Sequence, residues 1–340
     1  MSVGILGTGI YLPEATVHLA EVAGRIGLSP AALERKGTRK VHVSQGMAGT
    51  AMALRAAQQA LERAGVSPED LDLIIYAQGF VPDYLMHADY AQLQEELGAC
   101  RAWAFKLDQA CNSQLVALEL ARSLLSVNPG MRYVLVASAE TFPPYLTDRF
   151  RMAGSCFLSD GASAAVVGRE APGRHLLAFR FHTDGRHHAV WQIPVGGTAA
   201  PVTPEDLAAG RYFWNPAEQA RRHFRSPVEA YEMNRQTPVE IARLFHAVLC
   251  DAGLTLPQVR RLICYNMTRD VIEAIRESIG GVPEELTSWH VAREVGHIGA
   301  VDPMLNWHLM EEEGALQPGD IVGLVSGGFG QSWAAGLVRV

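Results

Sequence analysis

The sequence predicts an α/β fold built of two similar halves, and three observations carry that expectation. Short, continuously apolar runs alternate with longer stretches whose apolar residues recur about every 3.6 positions. The alternation is written twice along the chain, with a break at Ala171-Pro172-Gly173. At 340 residues the chain also exceeds the usual size of a single hydrophobic core.

In chain order, residues 3–6 are the first buried strand, 50–64 a helix, and 71–77 a run too apolar for a half-exposed strand. Residues 102–107 form the next strand and about 112–125 the next helix. Strands at 133–137 and, after the turn Ser159-Asp160-Gly161, at 162–167 complete the half. The second half repeats the series with a strand at 176–181, a helix about 238–252 capped by Thr237, a strand at 262–265, a helix about 271–279 and the pair 321–325 and 334–338. The expected halves are 1–171 and 172–340. Residues 196–225, carrying Arg211-Tyr212-Phe213-Trp214 and then Arg221-Arg222-His223, are too long for an ordinary connection and read as a functional lid, a disordered insertion or a solvated insertion with a few aromatics tucked under it. Its basic residues are suited to a phosphate or an acidic carrier protein.

Composition narrows the function. With 48% hydrophobic and 19% charged residues the chain is not disordered, and no apolar run is long enough to cross a bilayer. The opening MSVGILGTGIYLPE lacks a basic region before its apolar run and reads as a strand and turn, so the expected location is the cytoplasm. A formal charge of −7 argues against nucleic acid as the main partner. Five scattered cysteines without a CxxC pair indicate neither a disulfide framework nor a zinc site. His187-His188 beside Arg186 point in different directions, and Glu311-Glu312-Glu313 is a solvated helix face, so no metal and no cofactor are expected.

One cysteine stands apart. Cys111, in Lys106-Leu107-Asp108-Gln109-Ala110-Cys111-Asn112-Ser113-Gln114, joins a buried strand to a helix. Free backbone N–H groups and the helix dipole at that junction favour a thiolate, the nucleophilic form. Cys100, Cys156, Cys250 and Cys264 read as small hydrophobes.

The Ala110-Cys111 pair resembles the nucleophile segment of the ketoacyl-acyl-carrier-protein synthase III family. Gly7-Thr8-Gly9 with Leu12-Pro13, Gly37-Thr38-Arg39, Ser159-Asp160-Gly161-Ala162 and the glycine-rich Gly327-Gly328-Phe329-Gly330-Gln331-Ser332-Trp333 resemble further family motifs in the same order, over about residues 3–340. The resemblance implies a duplicated five-layer αβαβα thiolase fold, a homodimer, and transfer of an acyl group from an acyl-carrier-protein or coenzyme A thioester onto Cys111. It implies an oxyanion hole made by backbone N–H groups of Cys111 and of the turn at Phe329 and Gly330, and it sets the loop of Tyr84 and Met86 at the dimer contact. Met86, Arg35 and Trp214 are the candidate substrate-binding side chains.

The chain departs from the family where a condensing enzyme has histidine and then asparagine. Asn266 stands in the first place and His297 in the second. Asp302, five residues after His297, is suited to hold the imidazole while its free nitrogen takes a proton, giving a Cys111–His297–Asp302 triad. Asp302-Pro303 is equally a helix start with Asp as the cap. The exchange resembles a branch in antibiotic biosynthesis that acylates a hydroxyl or amine of a sugar-like or cyclitol acceptor. No aromatic residue precedes the Gly37-Thr38-Arg39 segment to stack on adenine, which favours a carrier-protein donor; Arg35 could still meet a phosphate. The competing expectations are a decarboxylating condensing enzyme and a non-catalytic partner of a carrier protein.

Overall fold

The computed structural model describes residues 2–152 and 154–340. Strand β1 (Val3–Tyr11) opens the chain, and a small hairpin of β2 (Thr16–His18) and β3 (Lys40–His42) encloses the short helices α1 (Leu19–Val22) and α2 (Pro30–Lys36). Helix α3 (Gly49–Ala64), β4 (Leu73–Ala77), α4 (Asp89–Leu97), β5 (Trp103–Leu107), α5 (Ser113–Val127), β6 (Tyr133–Glu140) and β7 (Gly161–Arg169) follow. The chain continues through β8 (His175–Thr183), α6 (Pro204–Ala208), α7 (Pro216–His223), α8 (Pro227–Asp251), β9 (Val259–Cys264) and α9 (Arg269–Ile279). It ends with α10 (Trp289–Val295), α11 (Asp302–Glu312), β10 (Ile321–Gly328) and β11 (Ser332–Arg339).

Among the described residues the long strands form one mixed sheet in the order β5-β4-β6-β7-β1-β8-β11-β10-β9. Strands β1 and β8 are paired at a single position, Gly4 with His175, and this seam divides the sheet into a five-stranded and a four-stranded part. The parts face each other across α5 and α11, while α3 covers the outer face of the first and α8 with α9 the outer face of the second. The result is five layers.

Local sequence explains each layer. Helix α3 turns Ala53, Ala56, Ala57 and Ala60 toward β1, and a Cβ on Gly9 would come within 2.1 Å of the Ala56 carbonyl oxygen, so only glycine allows this approach. Helix α11 buries Met304, Leu305, Asn306, Trp307 and His308 on all sides, as a helix between two sheets must. Its Trp307 shares the central core with Leu115 and Leu118 of α5 and with Val136 and Val322 from the two parts of the sheet. Phe245 and Val248 of α8 pack on Leu262 and Leu337. No helix among the described residues is long and apolar enough to cross a membrane.

Two expectations are corrected. The helix expected at 238–252 starts eleven residues earlier in sequence, at Pro227, because Ser226 accepts from the Glu229 N–H and Pro227 opens the first turn; Pro238 lies inside it and Thr237 is no cap. Thr237 Oγ1 instead accepts from Trp333 Nε1 at 3.2 Å. The stretch 196–225 is not structureless: α6 and α7 each carry a side-chain cap and buried Trp214 lies between them.

Candidate active site

The junction between β5 and α5 holds Cys111 in a strained and well-braced turn. Ala110 has φ +51°, and a Cβ on Gly79 would meet the Ala110 carbonyl carbon at 2.5 Å, so the end of β4 presses on the turn from behind. Ser113 Oγ accepts from Gln109 N at 2.7 Å and donates to Ala110 O at 2.7 Å, and Ser326 Oγ donates to Cys111 O at 3.1 Å. Helix α5 starts two residues after the cysteine, so Cys111 sits at its N-terminal end as expected, on the wall of a cavity of about 510 Å³.

His297 reaches the same cavity from the loop between α10 and α11. Its N–H donates to Phe157 O at 2.9 Å and its carbonyl accepts from Ser159 N at 2.8 Å, so the segment before β7 clamps it from both sides. Gly296, at φ +81°, lets the loop pass Phe157 O, which a Cβ would approach to 3.0 Å. Cys111 Sγ lies 3.3 Å from His297 Nε2, and His297 Nδ1 lies 2.6 Å from Asp302 Oδ2. The carboxylate fixes the proton on Nδ1 and leaves Nε2 toward the sulfur.

Asp302 is not the helix cap that the Asp-Pro pair predicts. It is the first residue of α11, Val301 holds the cap position without a side-chain bond, and the carboxylate turns back to accept from Asn266 N at 2.7 Å and Ile298 N at 2.8 Å besides His297. The imidazole is poised as a cation. Burial opposes its charge, but the Asp302 carboxylate and the Cys111 sulfur more than offset that, and its pKa lies well above the ordinary histidine value.

Asn266, expected to face the reacting groups, does not line the cavity. Its Nδ2 donates to Gly296 O at 2.9 Å and its Oδ1 accepts from Asn306 Nδ2 at 2.7 Å, so both ends of the amide brace the His297 loop. The preceding residue, Tyr265, lines the cavity in its stead.

Aromatic side chains form much of the cavity wall. Trp214, from the long connection, packs at 4.8 Å from Phe80 and 4.9 Å from Phe329 between ring centroids, and donates Nε1–H to Trp191 O. Phe329 lines the cavity, whereas Gly330, at φ +71°, is a turn residue outside the lining. Arg35 and Met86 are exposed and also outside it; the neighbouring Lys36 lines the mouth, paired with Asp270 at 2.7 Å. The basic stretch near 221 is largely committed within its own helix: Arg222 pairs with Glu218, Arg221 donates to Ala217 O, and His223 bonds His187.

Sequence reading missed Glu140, Tyr265 and Trp191, and took Cys156 for a simple core residue although it lines the cavity. Glu140 ends β6 and accepts from Gly79 N at 2.6 Å; burial pushes its pKa up to about 8. An acid closing an apolar strand is the signal that could have found it.

Five layers around two central helices, with a cysteine at the start of one and a histidine before the other, define the thiolase fold. A sequence profile described as 3-oxoacyl-[acyl-carrier-protein] synthase III matches residues 105–185, and its C-terminal companion matches 249–340. The chain is 31% identical to the beta-ketoacyl-[acyl-carrier-protein] synthase III of Erythrobacter litoralis and 30% identical to that of Rhizorhabdus wittichii, covering 98% of each protein and of itself. This chain belongs to the ketoacyl-acyl-carrier-protein synthase III family. Among solved structures, ChlB3, described as an acyltransferase, superposes with a TM-score of 0.85 at 27% identity over 100% of this chain and 98% of that one. The Aquifex aeolicus 3-oxoacyl-[acyl-carrier-protein] synthase III, at 24% identity, has the same fold with a TM-score of 0.82 over 99% of this chain and 100% of that one.

Proposed function

We propose that the chain is an acyltransferase of secondary metabolism that carries an acyl group from a carrier-protein or coenzyme A thioester, through acyl-Cys111, to a hydroxyl or amine of a sugar-like or cyclitol acceptor. The observation that carries this reading is the relay from Cys111 Sγ through His297 to Asp302, at 3.3 and 2.6 Å. The amide of Asn266, bonded away from the cavity, supports it further: a decarboxylative condensation needs two N–H donors on the enolate oxygen. The likeness to ChlB3 points the same way.

In the first half-reaction the Cys111 thiolate attacks the thioester carbon, the C–S bond to the donor breaks, and the leaving thiolate takes the proton from His297. In the second, the acceptor oxygen or nitrogen attacks acyl-Cys111 while His297 Nε2 removes its proton, and the Cys111 thiolate leaves. Backbone N–H groups at Cys111 and Phe329 are the proposed donors to the tetrahedral oxygen.

The names of the curated relatives support a carrier-bound donor and give condensation as the second reading. Intact mass after incubation with a short acyl thioester should show one acyl adduct, absent in Cys111→Ala. A chase with amino- or hydroxyl-bearing sugars and cyclitols should remove it. Removal by malonyl-carrier protein with release of carbon dioxide would establish condensation instead, and no adduct with any donor would leave only the carrier-binding alternative.

A further inference from the structure

Tyr265 is the polar side chain that the end of β9 presents to the cavity, and the proposed reaction described above leaves it unused. It is only 4% exposed, and its hydroxyl has no hydrogen-bond partner among the described residues. The residue lines the cavity, so the hydroxyl is free to bond a molecule held there.

Its position is set on three sides. The Tyr265 N–H donates to Val325 O at 3.1 Å, which ties the residue to β10. A Cβ on Gly327 would lie 3.0 Å from the phenol oxygen, so the hydroxyl rests on the first glycine of the turn that continues to Gly328 and Phe329. The ring meets His297 edge to face with centroids 6.0 Å apart. A Cβ on Gly328 would in turn meet the Ala110 side chain at 3.1 Å, so the glycine turn and the Cys111 turn are in contact. The phenol, the glycine turn and Cys111 thus border the same space.

We propose that Tyr265 donates its O–H to the thioester oxygen as it takes up charge, serving as a side-chain member of the oxyanion hole. This rests on the acyl-Cys111 reading. Burial, with the nearby Cys111, Cys156, Cys264 and Asp302 adding to it, raises the phenol well above the usual tyrosine range, so it stays a neutral donor at working pH. When Cys111 attacks, the carbonyl π electrons move onto oxygen, the phenol hydrogen bond shortens toward it, and collapse returns the electrons as the donor thiolate leaves. The same cycle runs when the acceptor attacks and Cys111 leaves. Tyr265 keeps its proton throughout. The segment expected to supply Asn266 to the reacting groups supplies this donor instead.

Tyr265→Phe keeps the ring on Gly327 and removes only the hydroxyl. Stopped-flow release of donor thiol and decay of preformed acyl-enzyme in the presence of acceptor should each slow by about 10²-fold, with KM for donor and acceptor within about twofold of the unaltered enzyme. Alkylation of Cys111 by iodoacetamide, which generates no carbonyl oxyanion, should proceed at the unaltered rate, a result that a merely structural role for the phenol would not give. Unchanged acyl transfer in the variant overturns the inference alone. Slowing confined to the second half-reaction with a raised acceptor KM overturns it in favour of acceptor binding. Failure of the unaltered enzyme to form any acyl adduct overturns the acyl-Cys111 reading and this inference with it.

Discussion

At the scale of single residues, the proton on His297 decides the direction of each half-reaction. Attack by the acceptor needs neutral Nε2, so transfer from preformed acyl-enzyme should rise with pH through the His297 pKa, which burial lowers and Asp302 raises. Asp302→Asn removes the charge that supports the imidazolium, so the rising limb should move to lower pH while the plateau falls about 10²–10⁴-fold. A pH-rate profile of the chase step reads both effects, and an unmoved limb would remove Asp302 from the relay. Glu140 gives a stability test. Its folded pKa of about 8 lies above the ordinary carboxyl value of 4.5, so between those pH values the folded chain keeps a proton that the unfolded chain has lost, and stability falls as pH rises. Glu140→Gln cannot titrate; its thermal midpoint minus that of the unaltered protein should grow from pH 5 to pH 8, and a constant difference would refute the assignment. Cys111 was legible in the sequence from its place at a strand-helix junction, and His297 from the family resemblance, which marks its place in a glycine-flanked loop. Tyr265 and Asn266 were not: neighbours on one strand end point to opposite sides, and only the surrounding chain determines which side is the cavity.

At the scale of elements, short connections meet at Cys111. The end of β4 is held to the end of β6 by the bond from Gly79 N to Glu140, and the same glycine lies against Ala110. Gly79→Ala would force a methyl into the backbone at 2.5 Å, which no rotamer can relieve. We expect a folded protein destabilised by about 1–3 kcal/mol in urea denaturation, with acyl-adduct formation slowed more than tenfold. Full adduct formation would mean that the turn has slack. The strands and their order along the chain were readable from apolar runs, while the early start of α8 was obscured by Pro238, which looks like a helix opening but sits where tertiary packing carries the helix across it. Asp302 carried two readings in the sequence, helix cap and partner of His297, and its carboxylate went to His297, Ile298 and the distant Asn266.

At the scale of the whole molecule, β5 is an outer strand of the sheet with Trp103 61% exposed, and the loop of Tyr84, Leu85 and Met86 leaves its apolar side chains in solvent. An open strand edge beside an apolar loop is the feature through which two chains pair. We propose the homodimer on this edge; sedimentation velocity should give about twice the 36.9 kDa chain mass, and Trp103→Arg should shift the protein toward monomer. A monomeric unaltered protein would refute it.

By itself the sequence determined the α/β class, the repeated series of strands and helices, and the cysteine at a strand-helix junction, because apolar period, turn residues and chain breaks are local and survive in one dimension; the histidine was marked by the family resemblance. Tertiary structure alone decided that Asp302 serves His297 rather than its helix, that Asn266 braces while Tyr265 faces the cavity, and that Trp214 reaches across to Phe80 and Phe329. Those outcomes depend on which distant donor, carbonyl or ring arrives within contact distance, and no spacing along the chain encodes that arrival.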